Sequence, residues 1–493
     1  MVDALTGNVA DLVADAAERA RDRAALVDAA TGRTITWART DQAVDAYAAR
    51  LAGAGLEPGD RVVIALPNGL EFCVALFAVL RAGGIAVPAA ASSPELPRLV
   101  EDSGARLVVG DTIDAPDLDA GGEPRRTATS GARGGEDIAV LCYTSGTAGV
   151  PRGVMLSHRA LLSNVAQCAR LRPAPVTASD RVLLVVPLYH AYGLGPGLLQ
   201  VAAAGATAVL LENFGTERAL AVCAEHQVTA LVGVPAMYQA LTTADPQRLA
   251  EGLASVRLMT SGGAPLPPAV LAAVKEATGL PVFEGYGLTE TGPVLTSTLV
   301  GGVAKPGSVG RALPDVELRI VDSEGGEVDP DEEGWFDGNE PETGRVAARG
   351  PNLFSGYWPD GADGPDEDGW FRTGDVGYLD TDGDLRLVDR ANDLIIVNGF
   401  NVYPNEVERI IDELPDVVES AAVGVPDART GEQVVAVVVL RQGATLTEDE
   451  VRDHCAERLA RFKVPRTVRF ADELPHSATG KLRRALLRDG AEG

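Results

Sequence analysis

Along the first half of the chain the apolar residues switch back and forth between two periods. Val9, Leu12, Val13, Ala16, Ala17 and Ala20 recur at three- and four-residue steps, which puts them on one face of a helix. From Trp37 onward the two periods alternate. Positions 43–52 are helical, 61–65 a β-branched run, 72–80 helical, 85–87 extended, 96–102 helical and 107–109 extended. The alternation resumes with a strand-like run at 138–142, a helix at 157–168 and a buried strand at 181–186. Further strands fall at 207–211, 230–234 and 256–259. Such a pattern predicts an α/β fold of stacked βα units with mostly parallel sheets.

The pattern changes after residue 302. Gly, Pro, Asp and Glu accumulate up to residue 380, with short β runs at 316–321 and 344–348, which predicts a small β-rich subdomain of antiparallel strands. From Ile395 a strand, a glycine turn and a helix lead to strands at 421–425 and 434–440 and a helix at 448–459. That is an α+β unit of about 100 residues, enough for a domain of its own. The full length of 493 residues also exceeds what one core usually serves.

Composition removes several classes of function. With 43 Lys and Arg against 70 Asp and Glu the net charge is −27, so the surface repels nucleic acid and anionic membranes, and any phosphate site must be local and shielded. Cys73, Cys142, Cys168, Cys223 and Cys455 are odd in number and sit mostly in apolar stretches, which fits buried free thiols in a reducing cytoplasm. The N-terminus has acids where a signal peptide carries a basic region. The most apolar stretch, 72–91, is broken by Arg81, Gly83, Gly84 and Pro88 before it could span a bilayer. A cytoplasmic protein without an integral membrane segment is expected.

Candidate chemistry begins at 141–154, which reads LCYTSGTAGVPRGV. Glycines let a backbone approach an anion, hydroxyls add donors and Arg152 adds charge, so the stretch reads as a phosphate loop, with a Gly/Thr-rich surface turn as the alternative. Pro187-Leu-Tyr-His-Ala-Tyr-Gly193 places His190 at a strand end between two tyrosines, in either a site or a structural hydrogen bond. Ser261-Gly262-Gly263-Ala264-Pro265 follows a strand and permits close approach of a flat ligand, or is a tight turn. Phe283-Glu-Gly-Tyr-Gly-Leu-Thr-Glu290 offers an aromatic for a base, a hydroxyl for a phosphate and a carboxylate for Mg²⁺. Asp380, Asp382 and Asp384 lack the glycine and the final Glu of a calcium loop and read as a solvated hairpin turn.

Taken together, LCYTSGTAGVPRGV, Tyr-Gly-Leu-Thr-Glu290, Trp370-Phe-Arg-Thr-Gly-Asp375 and Pro475-His-Ser-Ala-Thr-Gly-Lys481 resemble the adenylate-forming superfamily, which holds acyl-CoA synthetases, the adenylation domains of peptide synthetases and firefly-type luciferases. The likeness runs from about residue 34 to 485 and is greatest to medium- or long-chain fatty acid CoA ligases. It implies an N-terminal adenylation domain over 1–391 and a small mobile lid over 392–493, with the hinge at Asn392. ATP would be held by Thr144, Ser145, Gly146, Thr147, Gly149 and Arg152 at the phosphates, and by Gly262, Gly263, Ala264, Gly285, Tyr286 and Gly287 along the adenine. Asp375 and Arg390 would grip the ribose, and Gly399 would let the pantetheine arm of coenzyme A pass. Catalysis would rest on Lys481, Thr289, Glu290 (which also holds Mg²⁺) and His190 near the reacting carboxylate.

The chain departs from the family at Arg152, where Lys is usual, at Ala148, often Thr, at Asn392, usually Lys or Asp, and at Arg345, usually Glu. Amino-acid-activating members carry an Asp near 187–194, absent here, and malonate-type members place Arg where Gly285 stands. Gly233, Gly262 and Gly263 among many Val and Ala predict an open apolar tunnel. The expected reaction is ATP-dependent ligation of a carboxylic acid, foremost a medium or long aliphatic one and next an aryl acid, to CoA through an acyl-adenylate. A carrier protein is the alternative acceptor, the expected state is a monomer or homodimer, and a nucleotide-binding protein without catalysis is the reading from another class.

Overall fold

The computed structural model describes residues 2–119, 133–144, 151–322, 325–328, 336–337, 340–341, 343–390, 393–397, 400–427, 429–476 and 482–489. The chain forms two compact units, one of Met1–Leu318 with Ala348–Phe371 and the other of Arg319–Ala347 with Arg372–Gly493.

The first unit holds two sheets. In the larger, Ala24–Asp28, Thr207–Leu210, Arg181–Leu184, Ala230–Gly233, Leu258–Ser261 and Val282–Tyr286 run parallel in that spatial order. Antiparallel strands, Thr34–Thr36 at one edge and Thr296–Ser297 with Arg311–Ala312 at the other, complete it. The second sheet is ordered Leu107–Val109, Arg61–Ile64, Ile85–Pro88, Ile138–Thr144, Arg152–Ser157, parallel except for its last pair. Alternate side chains point to opposite faces of a strand. Accordingly Val62 and Ile64 join Val182 and Leu184 in one shared core, while Val63 and Leu183 enter separate clusters on the outer faces. Helix Leu70–Arg81 belongs to the shared core, with Leu70 and Phe72 to Leu80 all buried, as an all-round apolar helix requires.

The helix expected from 157 begins at His158, and before it lies a strand the sequence did not reveal, Arg152–Ser157, antiparallel to Ile138–Thr144. The Ser157 side chain accepts from the Ala160 amide at 3.1 Å as the helix cap. Gly153-Val-Met-Leu156 is too short an apolar run to reveal its period.

In the second unit, Trp370–Leu379, from Arg372 on, and Leu385–Arg390 form a hairpin in a four-stranded sheet. Its turn carries Asp380, Asp382 and Asp384: the Asp380 carboxylate accepts from the Asp382 and Asp384 amides, at 3.0 and 3.1 Å, as read for a hairpin turn. The C-terminal part packs helices Pro404–Ile411 and Glu448–Ala456 on a sheet of Phe400–Val402, Ile395–Val397, Gly431–Leu440 and Val417–Asp427, with Thr467–Ala471 parallel to Gly431–Leu440. Thr447 and Glu450 cap the second helix reciprocally. All five cysteines are buried free thiols. Among the described residues no helix is long and apolar enough to cross a membrane.

Candidate active site

Three of the sequence segments emerge from one edge of the larger sheet. Leu258–Ser261 and Val282–Tyr286 are parallel neighbours, with Ser261 opposite Glu284, so Gly262-Gly263-Ala264 and Gly285-Tyr286-Gly287 lie at their carboxyl ends. His190 follows Arg181–Leu184 at the same edge. The carboxyl edge of an open parallel sheet is where such folds bind ligands. Gly287 is obligatory: a Cβ there would lie 1.9 Å from the Pro293 carbonyl oxygen. That tight return leads Thr289 and Glu290 into a single helical turn, Thr289–Thr291.

Glu290 is only 8% exposed, and the Tyr357 hydroxyl donates to its Oε1 at 2.6 Å. Tyr357 comes from a segment threaded beside Arg152–Ser157: the Trp358 amide donates to the Gly153 carbonyl at 2.8 Å and the Ser355 amide to the Met155 carbonyl at 2.9 Å. The Arg152 guanidinium lies over the Tyr357 ring, 3.6 Å from its centroid. Arg152 also donates to Asp363 at 2.7 Å. A relay Asp363–Arg152–Tyr357–Glu290 thus ties the hairpin's cation to the buried carboxylate. Tyr357 and Asp363 were not read as site residues; Tyr357 lies in the stretch Gly356-Tyr-Trp358, where its spacing gave no sign of its partners. Thr144 ends its strand directly opposite Arg152. Ser145, Gly146, Thr147 and Gly149 lie outside the described residues.

His190 is held against the Tyr189 ring, centroids 4.8 Å apart, and burial pushes its pKa down to about 4, so its imidazole is neutral at neutral pH. The expected open tunnel needs correction at two of its three glycines. The Cβ of a residue at 233 would come within 2.9 Å of the Tyr238 ring, and at 262 within 2.7 Å of the Tyr192 ring, so these glycines make room for tyrosines. At Gly263 the nearest atom to such a Cβ, Val234 Cγ1, is 4.0 Å away. The Tyr238 hydroxyl donates to the Thr260 carbonyl at 2.7 Å.

Beneath this edge Glu284 is 6% exposed and accepts from the Leu266 amide at 3.2 Å, which holds the turn after Gly263. Burial pushes its pKa up from 4.5 to about 7. A carboxyl whose folded pKa is raised favours the native state below its unfolded value, and that contribution is lost as pH climbs through about 7. Glu284→Gln keeps an acceptor for Leu266 and removes the charge. It is expected to stabilise the protein at pH 8 by up to about 3 kcal/mol and to change little at pH 5. Urea unfolding at both pH values checks this, and equal effects at the two would refute it.

In the second unit Asp375 is 6% exposed and stands directly across the hairpin from Arg390, so the two expected ribose contacts share one register position. The side chain of Arg390 is outside the described residues, as are Asn392, Gly399 and Lys481. The ends of the Lys481 loop are described: His476 bridges to Leu482 antiparallel, the Arg483 amide donates to the Pro475 carbonyl at 2.8 Å, and Arg484 grips both oxygens of Glu408 at 2.8 and 2.7 Å.

Known proteins share this chain's sequence and fold over nearly its whole length. The family described as AMP-binding enzyme matches residues 13–358, and the AMP-binding enzyme C-terminal domain matches 406–481. The long-chain-fatty-acid–CoA ligase of Escherichia coli O157:H7 is 33% identical over 547 residues, covering 99% of this chain and 95% of that protein. A feruloyl-CoA synthase of Amycolatopsis sp is 36% identical over 479 residues, covering 93% and 94%. The crystal structure of ATP-bound MatB from Rhodopseudomonas palustris superposes with a TM-score of 0.89 at 34% identity, covering 98% of this chain and 99% of that one. The Bacillus subtilis o-succinylbenzoate CoA synthetase MenE, in complex with its acyl-adenylate intermediate, gives 0.82 at 29% identity, covering 98% of each chain. The chain therefore belongs to the AMP-binding enzyme family, and within it to the AMP-forming acid–thiol ligases.

Proposed function

We propose that the protein joins a carboxylic acid, foremost a medium- or long-chain fatty acid, to coenzyme A through an acyl-adenylate. The observation that supports this most is the relay that sets a buried carboxylate, Glu290, and a cation, Arg152, on one tyrosine. In the first half-reaction the acid's carboxylate oxygen attacks the α-phosphorus of ATP, and the bond to pyrophosphate breaks. Both reactants are anions, so the barrier is largely electrostatic. A buried carboxylate fits a hard cation, and Mg²⁺ bound at Glu290 would neutralise phosphate charge. Arg152, Thr144, Ser145, Thr147 and the amides of Gly146 and Gly149 would cradle the phosphates, and Thr289 would donate to the α-phosphate. Tyr286 would stack on the adenine beside Gly262, Gly263 and Ala264, between Gly285 and Gly287, with Asp375 and Arg390 on the ribose. Neutral His190 would face the acid, and Lys481 would stabilise the transition state.

In the second half-reaction the lid, residues 392–493, rotates about Asn392, withdraws Lys481 and brings Gly399 forward. The CoA thiol then attacks the acyl carbon, and AMP leaves. A second reading, an aryl acid, is supported by the likeness to the feruloyl-CoA synthase. Pyrophosphate release with a panel of aliphatic, aryl and amino acids, with and without CoA, tests both. Turnover with fatty acids only in the presence of CoA supports the first reading, and preference for aryl acids supports the second. Release that stalls after about one equivalent despite CoA points to a carrier-protein acceptor, and no release with any acid removes the enzymatic reading.

A further inference from the structure

We propose that Tyr357 is a positioning residue that sets the metal-binding carboxylate and the phosphate-binding cation at one fixed spacing. The inference rests on the reading of Glu290 and Arg152 given above. Its own basis is that one side chain meets both: the hydroxyl donates to Glu290 Oε1 at 2.6 Å and the ring face carries the Arg152 guanidinium at 3.6 Å.

The ring is itself fixed. Phe354 packs edge-on against it at 5.2 Å and against Phe371 at 4.9 Å, and the backbone of this segment is hydrogen-bonded along Arg152–Ser157. The Phe354 amide also donates to the Glu290 carbonyl oxygen at 3.0 Å, so backbone and side chain of Glu290 are held by the same segment. A carboxylate with one oxygen engaged by a phenol keeps its orientation, as partners behind a metal ligand do. The planar guanidinium stacks on a ring where an ammonium would sit as a point charge, so Tyr357 gives the unusual Arg152 a seat that suits Arg rather than Lys. Asp363 holds the outer side of the guanidinium.

The test is ATP binding by calorimetry across a Mg²⁺ titration, on the full chain and on Tyr357→Phe and Tyr357→Leu. Tyr357→Phe keeps the ring under Arg152 and loses only the hydroxyl. It should raise the Mg²⁺ concentration for half-maximal ATP affinity by about tenfold while affinity at saturating Mg²⁺ stays near the parent's. Tyr357→Leu should show the same Mg²⁺ shift and, with Arg152 unseated, weaker ATP binding at every Mg²⁺ concentration. An unchanged Mg²⁺ midpoint in Tyr357→Phe, with the parent binding ATP in a Mg²⁺-dependent way, overturns the positioning role alone. Uniform loss of affinity in Tyr357→Phe at all Mg²⁺ concentrations overturns it in favour of a purely structural role. If the parent binds no ATP, the reading of the site falls and this assignment with it.

Discussion

Lys481→Ala is expected to lower acid-dependent adenylate formation by about 10³-fold, the scale of losing one cation aimed at a developing phosphoryl charge. It should leave thioester formation from supplied acyl-AMP close to the parent's. A carboxylate and a triphosphate repel one another, and the ammonium would act only while phosphorus is under attack. The loop that carries it is closed at its base by the His476–Leu482 bridge and the Arg483–Pro475 hydrogen bond, and Arg484 locks the following helix to Glu408. Loss of the ammonium therefore leaves the support of the loop intact, and the variant should fold as the parent does. Pyrophosphate exchange reports the first half-reaction and absorbance of the thioester the second. Equal losses in both would refute a lid that withdraws Lys481 between steps.

Much of this architecture was legible because the βα units write two periods into the chain. The run 181–186 was recognisable as a buried strand, and its first four residues, Arg181–Leu184, form one, parallel to both neighbours. The hairpin Ile138–Thr144/Arg152–Ser157 was not, because four apolar residues after a Pro-Arg pair do not distinguish strand from helix. The chemistry split in the same way. Residues whose type announces a task, such as Glu290 and Arg152 after their glycine loops, could be singled out by motif. Tyr357 and Asp363 could not, since what matters is that 353–363 pairs beside the Arg152 strand, a contact across roughly two hundred residues of sequence that only folding creates. Gly233 and Gly262 misled for a related reason: a glycine makes space, and the sequence does not say whether a ligand or a neighbouring tyrosine occupies it.

Glu290→Gln is expected to cost adenylate formation about 10²- to 10³-fold, the effect of deleting one charge from the site that must neutralise the phosphates. Glutamine has the same shape and its carbonyl oxygen can accept from the Tyr357 hydroxyl, so the relay to Arg152 should persist. Removing a nearly buried carboxylate removes a desolvated charge, so the melting temperature should hold or rise. The defect would thus be electrostatic, and it should differ in kind from that of Lys481→Ala. The lysine variant should bind ATP with the parent's Mg²⁺ dependence and fail in the step that follows, whereas Glu290→Gln should lose the Mg²⁺ dependence of ATP binding itself. Both should convert supplied acyl-AMP to thioester, because that step carries no triphosphate to neutralise. If Glu290→Gln retained Mg²⁺-dependent ATP affinity, the carboxylate would not be the metal's ligand, and the charge that Arg152 faces across Tyr357 would have to serve another purpose.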